Sequence, residues 1–261
     1  MKFYKSILIL FLFYSISGVA QNGITEIPED PTFQANNQIK FNFVPLLWKT
    51  GSLNYERKLS KRWTLGLTAN YRPKSDAPFK SYFQKMFGED GKGYLDNAFD
   101  IDKLEYGNWW LSPEVKVYLG KSGAFKGFYI AGFFKYENID IDYDYYLNWE
   151  ENGLNFNTSL PLEGDLRSWT GGIYVGIQWK IADNWHLDWQ IIGGNYGGGK
   201  LEVSVHQELT PEQQNEIRDF AQDIHEELND VKYEVNNHGA KIWGNIPWAG
   251  FRTGLSIGYS F

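Results

Sequence analysis

Residues 249–261 read A-G-F-R-T-G-L-S-I-G-Y-S-F. Phe251, Thr253, Leu255, Ile257, Tyr259 and Phe261 fall on one parity, and Gly250, Arg252, Gly254, Ser256, Gly258 and Ser260 on the other. Side chains alternate between the two faces of a strand. The stretch therefore reads as a strand with an apolar, aromatic-tipped face and a small or polar face. A half-buried strand of a soluble sheet alternates in the same way. The weight comes from the recurrence of this pattern along the chain, behind an export-type N-terminus.

That N-terminus has a basic start at Lys2 and Lys5, an apolar run from Ile7 to Tyr14, and small residues at Gly18 and Ala20. The run is shorter than the roughly 20 apolar residues of a spanning helix. Residues 1–20 are expected to be a signal peptide cleaved before Gln21. Residues 21–37, with Pro28 and Pro31, read as a periplasmic lead-in, and 38–261 as the folded domain. Mean hydropathy is −0.45, which excludes a helical membrane protein but not a barrel, whose apolar residues alternate with polar ones. Aromatics are 18% of the chain, with 11 Trp and 17 Tyr, and this enrichment fits aromatic girdles. There is no cysteine, so thiolate catalysis and thiolate metal sites are excluded. The net charge of −7 becomes −9 once Lys2 and Lys5 leave with the leader, which argues against nucleic acid as a partner.

Eight strands follow from period-2 runs. The first runs from Gln38 to Leu46, the next six begin at Ser52, Arg62, Asn108, Gly127, Arg167 and Trp185, and the last is the C-terminal stretch. In the third, Trp63, Leu65, Leu67, Ala69 and Tyr71 oppose Thr64, Gly66, Thr68, Asn70 and Arg72. In the fourth, Pro113 is expected to mark a bulge, because it cannot donate to the ladder. Connections after strands two, four and six are tight. Those after three, five and seven are long, at 73–107, 139–166 and 193–247. The fold class is all-β: an eight-stranded antiparallel up-and-down transmembrane β-barrel with long extracellular loops. Within the third loop, Thr210-Pro211-Glu212-Gln213 is a helix start with N-cap, first-turn proline and capping-box glutamine. A helix is expected over 211–236, with Ile217, Phe220, Ile224, Leu228 and Val231 as its apolar stripe.

The segments N-F-V-P-L-L-W-K-T-G-S-L-N-Y-E-R-K-L-S (42–60), P-E-V-K-V-Y-L-G (113–120), G-G-I-Y-V-G-I-Q-W (171–179) and G-L-S-I-G-Y-S-F (254–261) resemble small OmpA-like outer-membrane barrels. They are most similar to an uncharacterised Gram-negative family of that type. The resemblance covers the chain from about residue 38 outside the long loops. It implies the eight-stranded fold and an outer-membrane location, and no activity.

The inward parity carries charges of both signs: Lys40, Glu56, Lys58, Arg72, Glu114, Lys116, Lys135, Glu137, Lys180, Asp188 and Arg252. Eight strands enclose a space only wide enough for side chains, so these charges are expected to pair as a polar plug. The alternative is a narrow ion path. Asp140, Asp142 and Asp144 are spaced like the opening of an EF-hand with Glu151 at the twelfth position, but Tyr145 stands where the turn needs glycine. Ser204 and His206, with Glu202 beside them, are the candidates for a lipid-modifying barrel enzyme. The leading expectation is a non-enzymatic barrel without cofactor or metal. Its expected partners are outer-membrane lipid, the barrel-assembly machinery through the strand ending at Phe261, and a surface protein docked on the loop helix.

Overall fold

The computed structural model describes residues 35–78, 103–151, 154–227 and 230–261, without the side chains of 146–158, 220, 223, 224, 226 and 227. Of the three loops expected from sequence, 79–102 of the first, 152–153 of the second and 228–229 of the third lie outside these residues. The expected signal peptide and nearly all of the expected lead-in lie outside them.

Among the described residues nine strands form one antiparallel sheet: β1 Asn37–Asn42, β2 Gly51–Lys58, β3 Trp63–Asp76, β4 Leu104–Tyr118, β5 Gly127–Glu151, β6 Leu154–Lys180, β7 Trp185–Val205, β8 Val231–Asn236 and β9 Gly239–Ser260. Neighbours follow the order β1-β2-β3-β4-β5-β6-β7-β9, and β9 pairs back onto β1, so eight strands close a ring. The closing register sets Ile39 against Tyr259 and Phe41 against Ile257. β8 is the ninth strand and lies outside the ring, paired only with the start of β9. The fold class is an eight-stranded antiparallel barrel.

The ring is inverted relative to a water-soluble core. Leu53, Leu65, Leu67, Ile130 and Ile173 project outward and are exposed, Ile173 at 67%, while Lys40, Glu56, Glu114, Lys116 and Asp188 are buried. An outward apolar face alternating with a polar interior suits a barrel wall in hydrocarbon. The tight connections, with the first residues of β1 and the last of β9, lie together at one end. The other end carries the long extensions.

Those extensions correct the loop readings. The acidic segment 139–166 is ribbon, not loop: β5 and β6 pair without interruption from Gly127↔Gln178 to Glu151↔Leu154. Their 25 and 27 residues exceed twice the about 9–11 that a spanning strand needs. Ile139, Ile141, Tyr143 and Tyr145 alternate with Asp140, Asp142 and Asp144, so the acidic residues are the polar face of a strand. Segment 193–247 is likewise mostly strand, with β7 running on to Val205 and β9 starting at Gly239. The first loop is shorter than 73–107, because β3 reaches Asp76 and β4 begins at Leu104.

The helix α1, Pro211–Glu227, starts as the sequence says. Thr210 N donates to Gln213 Oε1 at 2.9 Å and Gln213 N to Thr210 Oγ1 at 3.3 Å, a reciprocal capping box. It ends earlier than residue 236. Val231, Tyr233 and Val235 alternate with Lys232 and Glu234 and pair with β9 as β8. β-branched residues on an available edge strand gain ladder bonds that a lone helical turn does not.

Three smaller corrections concern β1, Pro113 and β7. β1 stops at Asn42 rather than Leu46, and Val44–Trp48 is a 3-10 turn with Pro45 in its first positions. Pro113 marks no bulge: Leu111↔Tyr136 and Glu114↔Phe133 stay in one register, with only the ladder pairs between them missing. A missing N–H removes bonds without adding a residue. The irregularities fall instead after Arg72 and at Ile191–Ile192 of β7, where an extra residue switches the inward parity.

Gly176 faces the interior, where an added Cβ would lie 2.3 Å from the Tyr129 hydroxyl and 2.7 Å from the Trp189 carbonyl oxygen. Gly132 faces outward, with nothing within 4 Å of the same position. Gly176→Ala is expected to cost about 1–3 kcal/mol of stability. Gly132→Ala is expected to be nearly neutral. Denaturant midpoints of the detergent-folded chain, followed by tryptophan fluorescence, check both.

Candidate functional site

Inward parity brings charges from five strands to one level of the lumen. Lys40 Nζ on β1 lies 2.6 Å from Glu56 Oε2 on β2 and 2.5 Å from Asp188 Oδ2 on β7. Lys116 Nζ on β4 lies 2.9 Å from Glu56 Oε2, 3.5 Å from Glu114 Oε1 and 3.6 Å from Asp188 Oδ2. Arg252 Nη2 on β9 reaches Glu114 Oε2 at 2.6 Å. Lys40, Lys116 and Arg252 thus face Glu56, Glu114 and Asp188, three charges of each sign. Taking one charge out of water costs several kcal/mol, so a sealed group of this kind requires balance and full hydrogen bonding.

The hydrogen bonding is extensive. Glu56 also accepts from Thr64 Oγ1 at 2.5 Å, and the Tyr118 hydroxyl lies 2.9 Å from its Oε1 and 2.8 Å from Gln178 Oε1. Tyr129 donates to Asp188 Oδ1 at 2.6 Å, and Gln178 Nε2 to Gln38 Oε1 at 2.8 Å. Arg252 donates further to Gln190, Ser112 and Thr68 at 3.2, 3.3 and 3.0 Å, and its guanidinium lies 4.5 Å from the Tyr174 ring centroid. Tyr118, Tyr129, Phe133 and Tyr174 pack beside the charges as an internal aromatic cluster.

β4 and β9 stand four places apart in a ring of eight. The Arg252–Glu114 contact therefore crosses the full width of the lumen. Six of the eleven charges singled out from sequence meet in this one network.

The other five do not. Lys135 and Glu137 pair with each other at 2.6 Å nearer the extended end. Arg72 is buried but bonds carbonyls, those of Trp48, Tyr106, Ser75 and Asp76, and stacks on Tyr106 at 3.9 Å. Lys180 is half-buried near the tight-turn end and joins none of these groups. Lys58 is also half-buried there. Sequence reading flagged only charges. The uncharged members Gln38, Thr64, Tyr118, Tyr129 and Gln178 were legible as inward by parity, but nothing singled them out.

The remaining candidates separate. Ser204 is half-buried and His206 exposed beyond the end of β7, with no hydrogen bond joining them, and Glu202 pairs with Lys241 at 2.6 Å. Asp140, Asp142 and Asp144 lie along extended β5, which puts Glu151 about 36 Å from Asp140 at the rise of a strand. Asp142 pairs with Lys74 at 2.5 Å. Among the described residues no cluster of three or more His, Asp or Glu could hold a metal ion. His186, inside near the tight turns, bonds the Phe125 carbonyl at 3.1 Å. Of the helix stripe, Ile217 packs against Leu160, Val205, Leu209 and Ala240, while Val231 is buried on β8 with Ala221 and Ile242. The side chains of Phe220, Ile224 and Leu228 lie outside the described residues.

No protein-family model matches the chain, and no curated protein matches it. Among solved structures, CarO of Acinetobacter baumannii is similar at 15% identity, covering 89% of this chain and 100% of that one, with a TM-score of 0.40. CarO2 of the same organism is similar at 9% identity, over 87% and 98%, with a TM-score of 0.40. The N-terminal β-barrel domain of Pseudomonas aeruginosa OprF is similar at 8% identity, over 87% and 98%, with a TM-score of 0.27. The barrel described above rests on the chain's own strand pairing.

Glu56 accepts from both buried lysines, so Glu56→Gln leaves three cations facing two anions. Breaking such a buried set is expected to cost about 3–5 kcal/mol. Adding Lys116→Met restores the balance and is expected to recover most of the loss. The temperature at which the fast-migrating folded band converts to the slow unfolded band reads both.

Proposed function

We propose that the chain is a non-enzymatic outer-membrane β-barrel whose wall is structural, whose interior is sealed by its own side chains, and whose extended end carries recognition. The observation that carries this reading is the balanced charge network inside a closed, outwardly apolar ring. An apolar exterior belongs in hydrocarbon, and pairing β9 back onto β1 satisfies the backbone groups of both strands along the closed part of the ring. The short-turn end, with both ends of the barrel chain, faces the periplasm in this reading, and the β5–β9 extension with α1 faces outward.

Its partners follow from the same reading. Outer-membrane lipid surrounds the belt, and the barrel-assembly machinery meets the terminal strand ending at Phe261. Surface recognition falls to the acidic β5–β6 ribbon and the outer face of α1. The residues expected to serve a lipid-modifying centre, Ser204 and His206, are not joined, which favours the non-enzymatic reading. The cross-lumen contacts favour a sealed barrel over a narrow channel.

Planar-bilayer recording tests the sealed interior. The wild-type chain is expected to show no steady conductance. Glu114→Ala with Arg252→Ala, which removes the bridge across the lumen while keeping charge balance, is expected to give resolvable steps. Steady conductance from the wild type would overturn the sealed reading in favour of a channel.

A further inference from the structure

The ring is not closed along its whole height. On its second edge, β9 pairs with β8 at residues 239–244 and with β1 at 256–260. Among the described residues no strand pairs with that edge between 245 and 254. β1 causes this by ending at Asn42 and giving way to the 3-10 turn at Val44–Trp48. The result is a notch in the wall beside Phe251, Arg252 and Thr253.

Behind the notch lies a cavity of about 350 Å³, floored by Arg252 and flanked by Trp110 and the 3-10 turn. Its inner wall holds Asn54, Asn70 and Asn108 on three successive strands, rising diagonally toward the extended end. The Oδ1 atoms of all three are buried and accept no hydrogen bond. Asn54 and Asn70 are only 6% and 7% exposed. Two of the three orientations are fixed from behind. Asn54 Nδ2 donates to Glu114 at 2.9 Å, and Asn108 Nδ2 donates to Glu137 at 3.1 Å. A carboxylate accepts only from the amide nitrogen, so the oxygen is turned the other way. Buried acceptors left without donors are rare and costly.

The complement to these groups is a neutral cluster of hydroxyl donors. A cation is disfavoured by the Arg252 guanidinium in the same cavity. An anion is disfavoured by the acceptor oxygens, and the Arg252 charge is already answered by Glu114 at 2.6 Å. Trp110 offers an apolar ring face beside the acceptors, as polar ligand sites commonly do.

Outside the wall, a second hollow of about 620 Å³ adjoins the notch. Gly171, Gly194 and Ala249 form its bed, and Ile173, Tyr196 and Phe251 stand around it. Phe251, 93% exposed, lines both the outer hollow and the inner cavity. A polar chamber and an apolar trough thus meet at one residue on an open edge.

We propose that this notch is a lateral binding site for a single-chain amphiphile with a hydroxyl-rich head. The head enters the cavity to donate to Asn54, Asn70 and Asn108, and the alkyl chain lies in the outer trough. The site rests on the membrane reading above, since it needs a ligand delivered from the bilayer side.

The test uses the full chain in phosphatidylcholine nanodiscs, titrated calorimetrically with octyl glucoside below its micelle concentration, with empty nanodiscs as the blank. Glucose and octylphosphocholine serve as the head-only and wrong-head probes. Saturable octyl glucoside binding is expected, with glucose at least about tenfold weaker and octylphosphocholine not saturating. Asn70→Leu, which leaves the charge network intact, is expected to weaken octyl glucoside about tenfold, the scale of one lost hydrogen bond. Phe251→Ser is expected to weaken octyl glucoside but not glucose. An inserted, heat-shifting chain without saturable binding, or with binding unchanged in Asn70→Leu, overturns the site. Equal affinity for glucose overturns the amphiphile. A chain that does not insert overturns the membrane reading itself, and the lateral route with it.

Discussion

Everything in this molecule depends on β1 pairing with β9. Without it, the first and last strands would each present a row of unpaired amides and carbonyls, which an apolar surrounding cannot satisfy. The start of β1 and the end of the chain are brought together by that ladder, down to the reciprocal bonds between Asn37 and Phe261 at 3.0 and 2.9 Å. Closure also fixes the interior. Once the ring is complete, each inward side chain is committed to a narrow lumen, and a charge buried there must find a partner.

The network around Glu56 is the consequence. Lys40 and Lys116 share one oxygen of that carboxylate, while Asp188 and Glu114 take up the remaining charge of the cations. The tyrosines supply donors and bulk together. Balance across the lumen lets an interior made of lysine, glutamate and arginine serve as a core. The same logic exposes the weak point. β1 is only six residues long, so the seal it provides covers the lower part of the wall and leaves the upper edge of β9 open. Beside that open edge, the interior holds amide oxygens without donors.

The spanning parts of the strands were legible because burial on one face imposes period 2, as Trp63–Arg72 and Asn108–Tyr118 show. The extensions were not, since Asp140, Asp142 and Asp144 look like loop composition until cross-strand partners such as Tyr143↔Leu162 are known. Val231 and Val235 satisfy both a helical spacing of four and a strand spacing of two, and only the availability of the β9 edge decides between them. The inward charges could be enumerated by parity. Their partners could not, because contacts such as Arg252–Glu114 depend on the stagger of the ring and on the extra residue at Ile191–Ile192. Asn54 and Asn70 were visible as inward polar residues, but an unanswered acceptor shows itself only once its neighbours are in place.

Closure at the stated register is the central claim, and the absence of native cysteine makes it directly measurable. Cysteines would be placed at Ile39 and Tyr259, outward-facing partners in the β1–β9 ladder, and treated in folded protein with a one-carbon bis-thiosulfonate cross-linker. Directly opposed positions stand about 5.5 Å apart at Cα, within reach of such a bridge. Cysteines at Ile39 and Leu255 are offset by four residues, about 13 Å along the strand, and lie beyond it. The account predicts efficient linkage of the first pair, seen as a shifted band after denaturation, and none of the second. Linkage of neither pair, or of the offset pair alone, would contradict the closed eight-stranded ring.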